Sequence, residues 1–144
     1  MKVKIKRIDK SLPLPEYKTG GSVAFDLYSR IDETIEPGEF KMLPSNLMVA
    51  TPEGYMLMLS ARSSSAKKKG LTMRNSVGII DQDYCGDEDE IHMMVHNFSN
   101  QTAQIQKGER IAQATFIKVD IAEFEEVNKM SDNSRGGFGS TGDF

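Results

Sequence analysis

Arg62, Ser63 and Ser64 directly follow a short apolar run, Tyr55 to Leu59. A strand that empties into hydrogen-bond donors at the start of a helix makes a cradle for phosphate. The guanidinium can fork onto two oxygens, the Ser63 hydroxyl can donate to a third, and the backbone N–H of Ser64 can join them. The same residues also read as a helix cap followed by a solvated lysine run, Lys67 to Lys69. Asp81 closes a second apolar run, Val77 to Ile80, where a carboxylate would be partly desolvated and beside a turn. A general base belongs in such a place, within hydrogen-bond reach of the water it deprotonates. Tyr84, three residues on, can lay its ring against a sugar and leave no room for a 2'-hydroxyl. Asp81 to Tyr84 is equally readable as a type I turn with aspartate caps and a core tyrosine. The last ten residues, RGGFGSTGDF, carry a third chemistry. Gly136, Gly137, Gly139 and Gly142 allow the concave backbone that holds anions, Arg135, Ser140 and Thr141 supply donors, and Phe138 offers a face to a base. The segment reads either as a lid over a nucleotide's phosphates or as a disordered Gly/Ser tail.

The elements that would position these groups read as strands. VKIKRI alternates apolar residues with lysine, YMLMLS is apolar on both faces, and EIHMMVHN and RIAQATFIKV are short and rich in Ile, Val and Phe. No stretch holds a three-to-four residue period over several turns, and only SSSAKKKG suits one or two helical turns. Turn signals at Pro37-Gly38, Pro44, Pro52-Glu53-Gly54, Gly70, Gly86 and Lys107-Gly108 cut the chain into short pieces. An all-β sandwich or jelly roll requires that punctuation. At 144 residues, with 38% hydrophobic and 27% charged, the chain suits one domain. The composition shifts at about Asn128, which predicts a β domain over 1–127 and a flexible segment over 128–144.

Composition also excludes. A net charge of -3 argues against nucleic-acid binding through a broad basic surface, so any anion is held locally. No run approaches membrane-spanning length, the basic start MKVKIKR leads into no signal-like segment, and Cys85 has no internal disulfide partner. These features predict a soluble cytoplasmic protein with no membrane contact. His92 and His96 on a strand would lie about 13 Å apart, too far for one metal. Cys85 as a nucleophile lacks a partner base that the sequence can name.

Asp26 in AFDL, and Arg110 and Gln113 in KGERIAQ, are weak signals singly: Asp26 also reads as no more than an arginine's partner, and Arg110 as one side of a salt bridge. In order and spacing, however, AFDL, ARSSSA, GIIDQDY, KGERIAQ and RGGFGSTG resemble the five motifs of the trimeric dUTP pyrophosphatases, the dUTPases, from about Val23 to Gly142. The resemblance implies a distorted β jelly-roll subunit in a homotrimer, with three active sites at subunit interfaces, each fed by all three chains. It implies cleavage of dUTP to dUMP and pyrophosphate with Mg2+, which controls the dUTP pool and supplies dUMP. By position, Asp81 matches the residue that activates the attacking water, and Tyr84 the tyrosine under the deoxyribose. Arg62, Ser63, Ser64 and Gln113 match phosphate binders, and Asp26 matches an aspartate that meets the metal only through water or orients an arginine. Asn75 matches a uracil-binding position in some relatives, and backbone groups from Val77 to Ile80, Gly78 and Ile80 among them, would read the base edge. In the tail, Phe138 would stack on uracil, and Arg135, Gly139, Ser140 and Thr141 would close on the γ-phosphate. The magnesium would sit on triphosphate oxygens and waters, with no direct protein ligand.

Four features depart from the family pattern. Ala61 stands where proline usually precedes the arginine, and Ser64-Ser65 replace Gly-Leu. Arg135 precedes Phe138 by three residues where five is usual, a spacing similar to phage and prophage enzymes. The acidic run Asp87 to Glu90 is longer than usual, which predicts a solvated β-turn. Cys85 replaces a residue often arginine or glutamine, which predicts a half-buried inert thiol. The related dCTP deaminases would place a glutamate base downstream of the third motif and lack the complete tail. A nucleotide-sensing regulatory protein acting through a protein partner is the alternative from another functional class, and a structural β trimer with degenerate motifs is the third.

Overall fold

The computed structural model describes residues 1–130 together with Asn133, Ser134, Gly136 and Gly137. Eleven strands and one short helix follow one another: β1 (Ile5–Arg7), β2 (Phe25–Tyr28), β3 (Glu33–Ile35), β4 (Phe40–Pro44), β5 (Leu47–Val49), β6 (Tyr55–Ala61), α1 (Ser63–Lys69), β7 (Leu71–Met73), β8 (Val77–Ile80), β9 (His92–Asn97), β10 (Ala103–Ile105) and β11 (Arg110–Lys118). Every strand pair is antiparallel, in a four-stranded sheet ordered β2-β11-β6-β8, a three-stranded sheet β4-β9-β7, and the pairs β1-β5 and β10-β3. Inward side chains from both larger sheets form one core, including Leu27, Leu57, Leu59, Ala112 and Ala114 from the first and Leu43, Leu71, Met93 and Val95 from the second. The expected all-β jelly roll is the fold found. No helix among the described residues is long and apolar enough to cross a membrane.

Period-two alternation explains the strands that matter for the site. In β6, Leu57 and Leu59 are buried, while Met56 and Met58 on the opposite face are half-covered. In β9, Met93, Val95 and Asn97 are buried and His92, Met94 and His96 face outward. The helix is short because Gly70 stops it: Gly70 takes φ +63° and donates its N–H to Ala66 O at 3.0 Å. A side chain there would bring its Cβ within 2.4 Å of the Ser99 Cβ, so glycine is required twice over. Lys67, Lys68 and Lys69 sit in the last turn, where the helix dipole favours cations. The turn expected at Pro44 is made by its neighbour. Pro44 ends β4, and Asn46 reverses the chain at φ +71° while its buried amide bonds Asp9 on both sides, N–H to oxygen in each direction.

Beyond Lys118 the chain from 121 to 130 has no regular secondary structure and is exposed, with Ile121, Phe124 and Met130 each more than four-fifths uncovered.

Candidate active site

Three neighbouring strands build one half of the site. On the outer face of the four-stranded sheet the register sets Asp26 of β2 opposite Gln113 of β11, Gln113 opposite Ser60 of β6, and Ser60 opposite Val77 of β8. Between Arg110 and Ala112 the β11–β2 register shifts by one residue. A bulge of this kind re-aims a side chain, and here Arg110 reaches Asp26. Both carboxylate oxygens of Asp26 are used: Arg62 Nε donates to Oδ1 at 2.7 Å and Arg110 Nη1 donates to Oδ2 at 3.1 Å. Arg62 Nη1 also donates to the Arg110 carbonyl at 3.3 Å. Asp26 is buried, whereas both guanidiniums stay partly open to solvent. A carboxylate shared by two arginines leaves net positive charge and unused donors pointing outward, which suits an oxyanion. Of the two readings of Asp26, orienting an arginine is therefore the one this geometry supports.

The remaining phosphate-side residues gather around this clamp. Arg62 is the residue before α1, so the first N–H groups of the helix, at Ser63 and Ser64, open beside it. Ser63 is the first helical residue and no side chain caps the helix, so the cap reading of this segment does not hold. Ser65 is spent on structure, donating from Oγ to Ile111 O at 3.2 Å. Gln113 Nε2 lies 3.3 Å from Ser60 Oγ and 3.4 Å from Ala61 O, two long bonds that hold the amide beside Arg62.

The other half of the site stands elsewhere. Asn75, Gly78, Ile80, Asp81 and Tyr84 lie on the turn that crosses from β7 in one sheet to β8 in the other, on β8 itself, and in the loop that leaves it. Ser76 makes that turn at φ +62°. Gly78 is buried against β6, and a Cβ there would fall 3.2 Å from the Leu59 Cβ and 3.6 Å from Asn75 Nδ2. Asp81 follows Ile80, whose register partner is Leu57, and the next residue, Gln82, donates from Nε2 to the Tyr55 carbonyl at 3.0 Å. Tyr55 begins the seven-residue strand β6 and Arg62 follows its end, so Asp81 and Arg62 are a strand length, about 20 Å, apart within one chain.

Three expectations need correction. Asp81 is exposed in the single chain, not partly desolvated, because β8 is the edge of its sheet and nothing among the described residues covers the strand end. Cys85 is exposed, because the loop carrying it stands off the sheet. The acidic run is not uniformly solvated: Asp87 and Glu88 are exposed, but Glu90 is 5% exposed and is held by Arg30, whose Nε and Nη2 donate to its two carboxylate oxygens at 2.9 and 2.8 Å. Burial pushes the Glu90 carboxyl up, yet the Arg30 and Asn46 hydrogen bonds and the charges of Arg30 and His92 outweigh it, and the net shift is downward. The sequence reading assigned nothing to Arg30, Ser60 or Gln82 and left Arg110 open. For Glu90 a signal existed in its place directly before the apolar run from Ile91.

Arg135, Phe138, Gly139, Ser140 and Thr141 lie outside the described residues. Among the described residues no group of three His, Cys, Asp or Glu could hold a metal ion. Asp26 faces two guanidiniums, so these residues do not form the ligand set of a resident metal.

The fold and the site define a jelly-roll protein with a seam of two arginines on one aspartate at one end of a sheet and a carboxylate-bearing loop at the other. The sequence profile of the dUTPase family matches residues 10–142, and the chain belongs to that family. It is 42% identical over 148 residues to the deoxyuridine 5'-triphosphate nucleotidohydrolase of Dictyoglomus turgidum, covering 99% of each chain. It superposes on the dUTPase of Streptococcus mutans with a TM-score of 0.76 at 29% identity, over 83% of this chain and 98% of that one. The dUTPase of Staphylococcus bacteriophage 80alpha, solved with dUPNHPP, gives a TM-score of 0.85 over 98% of both chains. At 24% identity that second likeness is one of fold.

Proposed function

We propose that the protein hydrolyses dUTP to dUMP and pyrophosphate as a cytoplasmic homotrimer, each active site taking its phosphate seam from one copy and its Asp81 loop from another. In this reading the protein is a dUTP diphosphatase that lowers the dUTP pool and supplies dUMP. The observation that carries the reading is the strand-length separation of Asp81 from Arg62 within one chain. Two groups that must flank the same phosphorus cannot meet without a second copy. The outer face between them is apolar enough to receive one: Val77 and Ile79 are exposed, and Met56, Met58 and Ile117 are only partly covered.

Arg62, braced by Asp26, holds triphosphate oxygens through its unused donors, with the Ser63 hydroxyl, the Ser64 N–H and Gln113 beside it. Asn75 and the backbone of β8 around Gly78 and Ile80 read the uracil edge. The Tyr84 ring lies under the deoxyribose, where a 2'-hydroxyl would collide. Asp81 takes a proton from water as the water oxygen bonds to the α-phosphorus; the bond from that phosphorus to the α,β-bridging oxygen breaks, and pyrophosphate leaves with the electron pair. Magnesium is part of the substrate, the metal complex of the triphosphate, and supplies charge neutralisation there. The segment from 128 onward acts as a lid, with Phe138 on the base and Arg135, Gly139, Ser140 and Thr141 on the γ-phosphate. Its exposed approach from 121 to 130, outside any strand or helix, is compatible with reaching a neighbouring copy.

Pyrophosphate release measured side by side from dUTP, dTTP, dCTP and UTP with magnesium tests the reading. Release from dUTP alone is expected. Tight dUTP binding with no release would move the assignment to a nucleotide-sensing regulatory protein.

A further inference from the structure

The loop from Asp81 to Glu90 has no ladder partner. Its own backbone N–H groups bond only inside it, Cys85 to Asp83 O, Asp89 to Gly86 O and Glu90 to Glu88 O, with Gly86 N–H on the Asp89 carboxylate. Three side-chain tethers fasten it to the rest of the chain. Gln82 holds its start to the Tyr55 carbonyl, Lys6 pairs with the highly exposed Asp87 at 2.8 Å, and Arg30 clasps Glu90 at its end. Only the last is buried on the acid side. Glu90 Oε1 also accepts the Asn46 N–H at 2.7 Å, so the carboxylate is fixed from two directions. The Glu90 carbonyl then faces back across the loop. It accepts the Tyr84 phenol at 3.1 Å and lies 2.8 Å from His92 Nδ1.

We infer that Glu90 is a positioning residue for sugar selectivity: clasped by Arg30, it presents the carbonyl that fixes the Tyr84 ring at the height where a deoxyribose fits and a ribose does not. The inference rests on the reading that Tyr84 holds the sugar. Tyr84 is 39% exposed, and its phenol has no other hydrogen-bond partner among the described residues. A ring anchored at one oxygen, on a loop with no ladder partner among the described residues, would tilt when that anchor moves, and a small tilt suffices to admit a hydroxyl. The Lys6–Asp87 tether is exposed on both sides and contributes little to this position.

The test is the ratio of kcat/KM for dUTP to that for UTP in four proteins: wild type, Glu90→Gln, Tyr84→Phe and Lys6→Ala. Glu90→Gln removes the charge that holds Arg30, and Tyr84→Phe removes the phenol while leaving the clasp and the ring. Both should lower the ratio by about tenfold, the scale of one positioning hydrogen bond, mainly through a gain on UTP. Lys6→Ala should leave the ratio as it is. A Glu90→Gln protein that melts earlier with an unchanged ratio would overturn the inference, because the clasp would then be structural alone. If Glu90→Gln fails to fold, Tyr84→Phe decides, and an unchanged ratio there overturns it as well. A Lys6→Ala ratio that falls as far as the others would also overturn it, since any loosening of the loop would then be enough. A wild type with no dUTP turnover would instead sink the dUTPase reading itself, which keeps the two failures apart.

Discussion

The two halves of the site are held in opposite ways. Asp26, Gln113 and Ser60 stand in one row across three hydrogen-bonded strands, and a bulge aims Arg110 at the row's first member. Asp81 and Tyr84 instead ride on an edge strand and a loop fastened by side chains. The half that carries Arg62 and Arg110 is fixed by the ladder. The half that carries Asp81 is presented outward. On the proposed function, binding groups that must stay fixed sit in the sheet, and groups that meet a second copy sit at its edge.

Breaking the loop half at its chemical centre should have the largest effect. Asp81→Asn removes the base and spares every phosphate contact, so turnover should fall by about 10²–10⁴-fold while dUTP affinity, measured by calorimetry, stays near wild type. Full activity in that variant would take Asp81 out of the mechanism. Removing the residues after Met130 should cost somewhat less, about 10²-fold in turnover, with the melting temperature and oligomeric mass unchanged, as expected of a lid. A truncated protein that dissociates or unfolds would make the segment structural.

Breaking the ladder half should look different. Asp26→Ala leaves Arg62 and Arg110 facing each other without their shared carboxylate. The expected outcome is a loss of about 2 kcal/mol in urea unfolding together with a raised KM. A change in kcat alone would put Asp26 nearer the reacting atoms than this account does.

Much of this arrangement could be read from the sequence, and what could not has physical reasons. The long strands β6, β9 and β11 announced themselves as short apolar runs between turn signals, β1 by alternation, and the helix by SSSAKKK closed by Gly70. Strands β3, β5, β7 and β10 are three residues each, too short to carry a period, and exist because another strand pairs with them: β9 with β7, β1 with β5, and β3 with β10. Glu90 was misread because an acidic run signals solvent locally, whereas its partner Arg30 lies 60 residues away in sequence. The exposure of Asp81 could not be read because the burial expected there depends on what lies beyond the chain.

A smaller effect sharpens the contrast between loop and ladder. The Glu90 carboxyl is held below its ordinary value of 4.5 in the folded protein, so its clasp stabilises the fold above that pH and is lost as pH falls through the lowered value. Glu90→Gln should therefore unfold more easily at pH 7, by about 2 kcal/mol given the partial exposure of Arg30, and lose less stability than wild type as pH falls below 4.5. Parallel curves for the two proteins would contradict the shift. The smallest effect belongs to the exposed Cys85, where Cys85→Ser should alter stability by less than about 0.5 kcal/mol.

The central claim is that one catalytic site needs two copies of the chain, and subunit complementation tests it directly. Asp81→Asn and Arg62→Ala chains, each inactive alone, would be co-expressed with different tags and purified as mixed oligomers. A mixed trimer of either composition has one site of three that pairs an intact seam with an intact loop, so dUTP cleavage should return to about one third of wild type. Mixed oligomers that stay as inactive as their parents would mean that Asp81 and Arg62 serve the same site from the same chain, and the account would fail.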